Sequence, residues 1–162
     1  MRVLVMTVVH HPEDARILHR QIRALVDAGH SVVQAAPFSA FGVAARPWVS
    51  GVDLPRASGR RRAGAIRQAR AVLRDQGSKS DIVLLHDPEL LLAVGNVRKH
   101  LPVVWDVHED TAAALGMKAW LPGPLRPAVR LAVRLAESAA ERRLHLTLAE
   151  PAYAGRFRRE HL

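Results

Sequence analysis

The 162-residue chain contains no cysteine, and aromatic residues make up only 4% of it. The first absence excludes a disulfide framework and thiolate metal sites, and it fits a reducing, cytoplasmic location. The second means that the core is built from Val, Leu, Ile and Ala. It also leaves too few rings for a base-stacking nucleic-acid platform. No apolar run is long enough to cross a bilayer. The stretch from Met1 to Val9 is apolar but short, and it lacks the long apolar stretch and small-residue cleavage site of a signal peptide. Gly-x-Gly occurs nowhere, which argues against a dinucleotide fingerprint or a phosphate-binding P-loop. GxSxG and HExxH are also absent, so neither an α/β-hydrolase elbow nor a zinc-protease helix is encoded. There is no internal repeat and no low-complexity tract.

What is present is apolar and basic. Hydrophobic residues make up 49%, and the formal net charge is +9, nearly all of it from arginine. The length suits one domain with a sizeable core. Abundant Ala and Arg with scarce Lys point to a GC-rich, bacterial genome. The positive balance suggests polyanionic neighbours such as anionic lipid, nucleic acid or phosphorylated substrates, or simply a solvated surface.

The pattern alternates between strands and helices. Residues 2–9 form a continuous apolar run, as in a strand buried on both faces. From Ala15 the period changes: Leu18, Ile22, Leu25 and Val26 share a helical face, and Arg16, Arg20 and Arg23 form a stripe on another. Gly29 sits where a C-capping glycine belongs. Residues 31–36 read as the second strand. Residues 37–60 are loop-like, with a short strand around 48–54. Residues 61–76 read as a basic helix, 82–85 as a strand, and 88–100 as a helix that Asp87 can cap. Residues 103–107 are a strand, 125–142 a long helix, 144–148 a last strand, and 150–159 a last helix. This alternation predicts an α/β fold with a Rossmann-like, doubly wound, mainly parallel sheet and helices on both faces.

Three predicted strands end alike: the first at His10-His11, the next at His86-Asp87, the third at His108-Glu109. In an open parallel sheet, neighbouring carboxyl ends share one edge, and ligands bind in the crevice there. Adjacent strands would therefore bring these groups to one cleft. Imidazole titrates near neutrality and can donate, accept or move a proton. A neighbouring carboxylate can orient the ring or bind sugar hydroxyls, and helix N-termini at the same edge favour anions. Asp14 and Asp87 also have a plain reading as helix caps. Zinc or manganese on His86, His108 and nearby carboxylates is a rival chemistry, without a fixed ligand spacing to support it.

Several segments resemble one class of glycosyltransferase family 4 N-terminal domains. They are His10 to Ile17 (His-x-Pro-x-Asp-x-Arg-Ile), Leu25 to Val32, Asp81 to Glu89, Pro102 to Glu109, and Leu144 to Arg156. The resemblance runs in order over essentially the whole chain. It implies residues 1–162 as the N-terminal, acceptor-side half of a GT-B fold, with the C-terminal donor-binding domain absent. The implied reaction is retaining, metal-independent transfer of a sugar from a nucleotide-sugar to a glycan, small-molecule or lipid-linked acceptor. No cofactor is implied beyond that co-substrate, and the isolated domain is expected to be inactive. His108 matches the family's strand-end histidine near the transferred sugar and is the candidate catalytic residue. His86, Asp87 and Glu89 match the acceptor-side loop, and Glu109 is a further candidate substrate contact. His10, His11, Asp14 and Arg16 match the first loop, although the Gly-Gly common there in the family is missing.

Two other functions compete. One is a basic, non-enzymatic module on anionic membrane or nucleic acid, motivated by Arg60-Arg61-Arg62 and by the stripe Arg126, Arg130 and Arg134, with Met117, Trp120 and Leu121 nearby. The membrane version is compatible with the transferase reading. The other is a metal-dependent hydrolase using His86 and His108.

Overall fold

A computed structural model describes residues 1–95, 100–108, 123–149, 154, 155 and 157. Six strands form one sheet: β1 (Arg2–Met6), β2 (Ser31–Ala36), β3 (Ser50–Asp53), β4 (Ile82–Leu85), β5 (Val103–Val107) and β6 (His145–Leu148). Their order is β3-β2-β1-β4-β5-β6, and every pairing is parallel. The chain builds outward from β1 to β3, then returns to lay β4 on the other side of β1. Right-handed crossovers in opposite directions place helices on opposite faces. The expected doubly wound, Rossmann-like sheet is what the chain forms.

The helices follow that rule. α1 comprises a π-wound segment, Ala15–Ile22, that continues as α-helix over Arg23–Asp27. It covers one face, where Ile17, Leu18 and Ile22 pack on Val3, Val5 and Val32. Gly29, at φ 82°, ends it in the left-handed conformation glycine tolerates best. A short helix, α2 (Phe38–Phe41), follows β2 in the stretch that reads as loop. α3 (Arg62–Gly77, entered through a 3-10 turn at Gly59–Arg61) covers the other face together with two further helices. These are α4 (Leu91–Val94, entered through Pro88–Leu90) and α5 (Arg126–Glu141, entered through Gly123–Leu125).

Apolar burial holds the layers together. Alternate residues Leu4, Met6, Val83, Leu85, Val103 and Trp105 face α3–α5, and none is more than 3% exposed. Each such side chain contributes on the order of 2 kcal/mol. Trp105 meets Phe157 edge-on, with ring centroids 6.0 Å apart.

One expectation changes, and another falls largely outside the described residues. The helix expected over 88–100 has its described α-helical part end at Val94, with Gly95 at φ 48°; residues 96–99 lie outside the described residues. Most of the expected last helix, 150–159, also lies outside them, as do Glu109, Met117, Trp120 and Leu121. Among the described residues, no helix is long and apolar enough to cross a membrane.

Candidate functional site

The strand order makes β1, β4 and β5 neighbours, so the three histidine-bearing ends share one edge at the switch point between β1 and β4. Sheet register then sorts the side chains. Leu85 pairs with Trp105, so His86 and Asp106 occupy the next rung, and Asp106 is in register with Thr147 of β6. Alternation turns Trp105 toward α3–α5, and His86 and Asp106 toward the α1 face.

Asp106 is the hub. It is only 2% exposed. Gln21 Nε2 donates to its Oδ2 at 2.9 Å, and Thr147 Oγ1 donates to its Oδ1 at 3.0 Å. Arg16 Nη1 and His86 Nδ1 each approach Oδ2 at 3.2 Å without good hydrogen-bond direction. Burial alone would raise the carboxyl's pKa. The contacts from His86 and Gln21, with the charge of Arg16, outweigh it and hold Asp106 well below the usual carboxylate range.

Helix winding delivers two of these partners. Arg16 and Gln21 are five residues apart. In an α-helix that spacing puts them about 140° apart around the axis, on different faces. The i→i+5 winding of the π segment brings them toward one side. Asp14 starts the helix: its Oδ1 accepts from Arg16 N at 2.9 Å and from Ile17 N at 3.1 Å. Burial raises its pKa, but those two amides and nearby positive charge outweigh it, so the net shift is downward.

The second carboxylate, Asp87, is 1% exposed and does not cap α4 with its side chain. It reaches back to β1 instead. Its Oδ2 accepts from Thr7 Oγ1 at 2.8 Å, Val8 N at 2.5 Å and Val9 N at 3.1 Å. Those bonds fix the turn that carries His10. Asp87 Oδ1 lies 3.2 Å from His10 Nε2. The same nitrogen is 2.8 Å from His108 Nε2, and His108 Nδ1 is 3.2 Å from the Asp106 carbonyl oxygen. Burial, and next the charge of Arg16, lower the pKa of His108, which favours the neutral ring.

His10, His86, Asp87 and His108 therefore converge, as the strand-end pattern anticipates, and Arg16 of α1 joins them. Asp14 stands beside them as a helix cap. His11 is exposed, accepts at Nδ1 from Glu13 N at 3.0 Å, and meets the Phe41 ring edge-on at 4.6 Å between centroids. Glu89 is half-buried and faces Arg62 of α3 at 3.7 Å. Glu109 lies outside the described residues. The sequence pattern did not single out Asp106, Gln21 or Thr147. For Asp106 a signal existed: a charged residue inside the apolar run VVWDV needs partners if it is buried.

His86 is fully buried, and among the described residues its Nε2 has no hydrogen-bond partner. Such an orphan costs roughly 1–3 kcal/mol. Among the described residues, no group of three or more His, Asp or Glu side chains has metal-holding geometry. A cavity of about 420 Å³ lies elsewhere, between α4 and the end of α5, lined by Leu91, Leu92, Ala136, Ala139 and Leu144 with Arg143 at its edge. Its walls carry little chemistry, so the strand-end cluster is the better candidate site.

No family model and no curated protein matches the sequence. Solved structures do. The chain is similar to the yeast methylglyoxal/isovaleraldehyde reductase Gre2 complexed with NADPH, at 16% identity and TM-score 0.51, over 91% of this chain and 56% of that one. It is also similar to the glycosyltransferase VinC in complex with dTDP (15% identity, TM-score 0.46, 94% of this chain and 50% of that one). A third is the glycosyltransferase SnogD from Streptomyces nogalater (18%, TM-score 0.46, 99% and 48%). The chain thus spans about half the length of these structures. At such identities the likeness speaks for fold alone, and that fold is a Rossmann-like α/β domain.

Proposed function

We propose that this chain is the acceptor-side domain of a retaining, GT-B glycosyltransferase that moves a sugar from a nucleotide-sugar to a glycan or lipid-linked acceptor. The observation that carries the reading is the convergence of His10, His86, Asp87 and His108 on one sheet edge, with Asp106 and Arg16 beneath. These include the positions where the sequence resembles family 4 N-terminal domains. The chemistry is suitable. The part-exposed His10 ring can meet a sugar hydroxyl, and the buried His86, Asp87 and Asp106 hold the edge around it. Arg16 supplies fixed positive charge beside the edge, where a leaving diphosphate develops negative charge. The resemblance nominates His108 for the catalytic role, but its Nε2 already meets His10 at 2.8 Å, so it bears on the reacting groups through that ring; Glu89 and Glu109 are candidate acceptor contacts.

The nucleotide-sugar would be held mainly by a second, C-terminal domain, so this chain alone should not catalyse transfer. Titrating the chain with methyl glycosides and with UDP, GDP and ADP, observed by NMR, tests the assignment. Glycosides should shift the ring signals of His10, His86 and His108 at millimolar concentrations. Micromolar nucleotide binding at those rings, with no response to any glycoside, would reject the acceptor role.

A peripheral membrane contact is compatible with this reading. Leu125, Leu131 and Leu135 are each more than half exposed, on or beside the helix that carries Arg126, Arg130 and Arg134. Co-sedimentation with vesicles containing anionic lipid, compared with neutral vesicles, checks it.

A further inference from the structure

The tautomers of the two paired histidines follow from their neighbours. His108 Nδ1 lies 3.2 Å from the carbonyl oxygen of Asp106. A carbonyl oxygen only accepts, so this nitrogen carries the proton. The neutral His108 ring then presents a lone pair at Nε2. His10 Nε2 lies 2.8 Å from that lone pair and 3.2 Å from the Asp87 carboxylate. Both neighbours are acceptors, so His10 carries its proton on Nε2 as well. The opposite arrangement would set the His108 Nδ1 lone pair against a carbonyl oxygen and the His10 Nε2 lone pair against a carboxylate.

One consequence remains at the far side of the His10 ring. With Nε2 protonated, neutral His10 has its lone pair at Nδ1. No described residue bonds to that atom, and the side chain is 22% exposed, so it is not sealed off.

We propose that His10 Nδ1 is the site's open hydrogen-bond acceptor, and that His108 and Asp87 are positioning residues that fix the His10 tautomer. Resting on the transferase reading, the ligand of this atom is a hydroxyl of the acceptor, which donates to Nδ1 and is thereby oriented. In this arrangement His108 Nε2 is occupied by His10. His108 therefore acts on that hydroxyl through its neighbour. Neutral imidazole at His10 is required, and the Asp87 carboxylate keeps Nε2 as the donor.

The test is nitrogen-15 NMR of the histidine rings in the whole chain at about pH 8.5, where ordinary imidazoles are neutral. His108 should be protonated at Nδ1 and His10 at Nε2. The His108 assignment is the diagnostic one, because the carbonyl contact at Nδ1 requires it. His108 protonated at Nε2, or His10 at Nδ1, overturns the proposal. Reaction with diethylpyrocarbonate, mapped by mass spectrometry, reads access to the open nitrogen. His10 should react before His108 and His86, and faster reaction at His108 counts against the assignment.

Binding of methyl glycosides separates the two claims. His10→Phe should weaken a bound glycoside about fivefold, as loss of one neutral hydrogen bond does. His10→Gln, whose oxygen can accept, should largely restore it. If no glycoside binds the unaltered protein while the tautomers are as stated, the transferase reading fails and the proton assignment stands. If glycosides bind equally well to His10→Phe, the hydroxyl-accepting role of His10 is wrong.

Discussion

Replacing Asp106 with Asn changes one atom and one charge beneath the site. The amide oxygen can keep the Thr147 hydrogen bond, which spans 3.0 Å. The new NH2 group must then face Arg16 Nη1, which can only donate, at 3.2 Å, and Gln21, whose Nε2 donates at 2.9 Å, has to turn its amide over to accept from it. Uncovering a buried charge costs about 3–5 kcal/mol. The low end applies, because the Arg16 side chain is 24% exposed and can reach water. We expect Asp106→Asn to lose about 3 kcal/mol, with a fall in Tm of roughly 6–12 °C for a domain of this size. Urea unfolding at neutral pH measures it, with an unchanged slope and a lower midpoint. The pH dependence supplies an independent check. The folded pKa of Asp106 lies below its unfolded value, so its stabilisation is present above about pH 4. It is lost as pH falls through the folded value. The two stability curves should therefore converge in acid. A loss under about 1 kcal/mol, or curves that stay parallel into acid, would refute the description of Asp106 as an ionised hub.

Other expectations follow from the same contacts. Thr147→Val removes one hydrogen bond to Asp106 and should cost about 1–3 kcal/mol in urea unfolding, less than Asp106→Asn. Asp87→Ala strips the acceptor from the Val8 and Val9 amides, so hydrogen exchange at those two amides should accelerate more than at Val5, inside β1. His108 has a lowered pKa, so its contribution to stability should be complete above about pH 6.5 and should decline as pH falls from there; His108→Phe should flatten that part of the profile. Deleting the exposed Arg20 should rewind the π segment as α-helix with Arg16 and Gln21 four apart, on one face. Its cost in urea unfolding should be smaller than that of deleting the exposed Arg67 from the regular α3, which rotates every following residue by about 100°.

The sequence made the sheet readable because its strands are buried on both faces. Runs such as Ile82–Leu85 and Val103–Val107 have boundaries that turn residues and charges mark. Convergence of the histidines followed from one topological rule, that parallel carboxyl ends share an edge. Other features were not readable because they depend on tertiary partners. Asp87 fits the local pattern of a helix cap, yet its carboxylate is taken by amides of the turn after β1, nearly eighty positions away in the chain. Winding of α1 is likewise hidden: an α period makes Arg16 part of an exposed stripe with Arg20 and Arg23, and the structure turns it to Asp106. Asp106 carried a visible anomaly, a charge in an apolar run, but not the identity of its partners. The short helix Phe38–Phe41 has too few residues for any periodicity to show.

The proposed function requires the ends of β1, β4 and β5 to form one ligand site. Its most direct test is the set of histidine ring signals during titration with methyl glycosides. His10, His86 and His108 should shift together along one binding curve, while Leu91, Ala139 and Leu144 around the other cavity should not move. Shifts centred on that cavity, or three rings that respond with three different affinities, would contradict it.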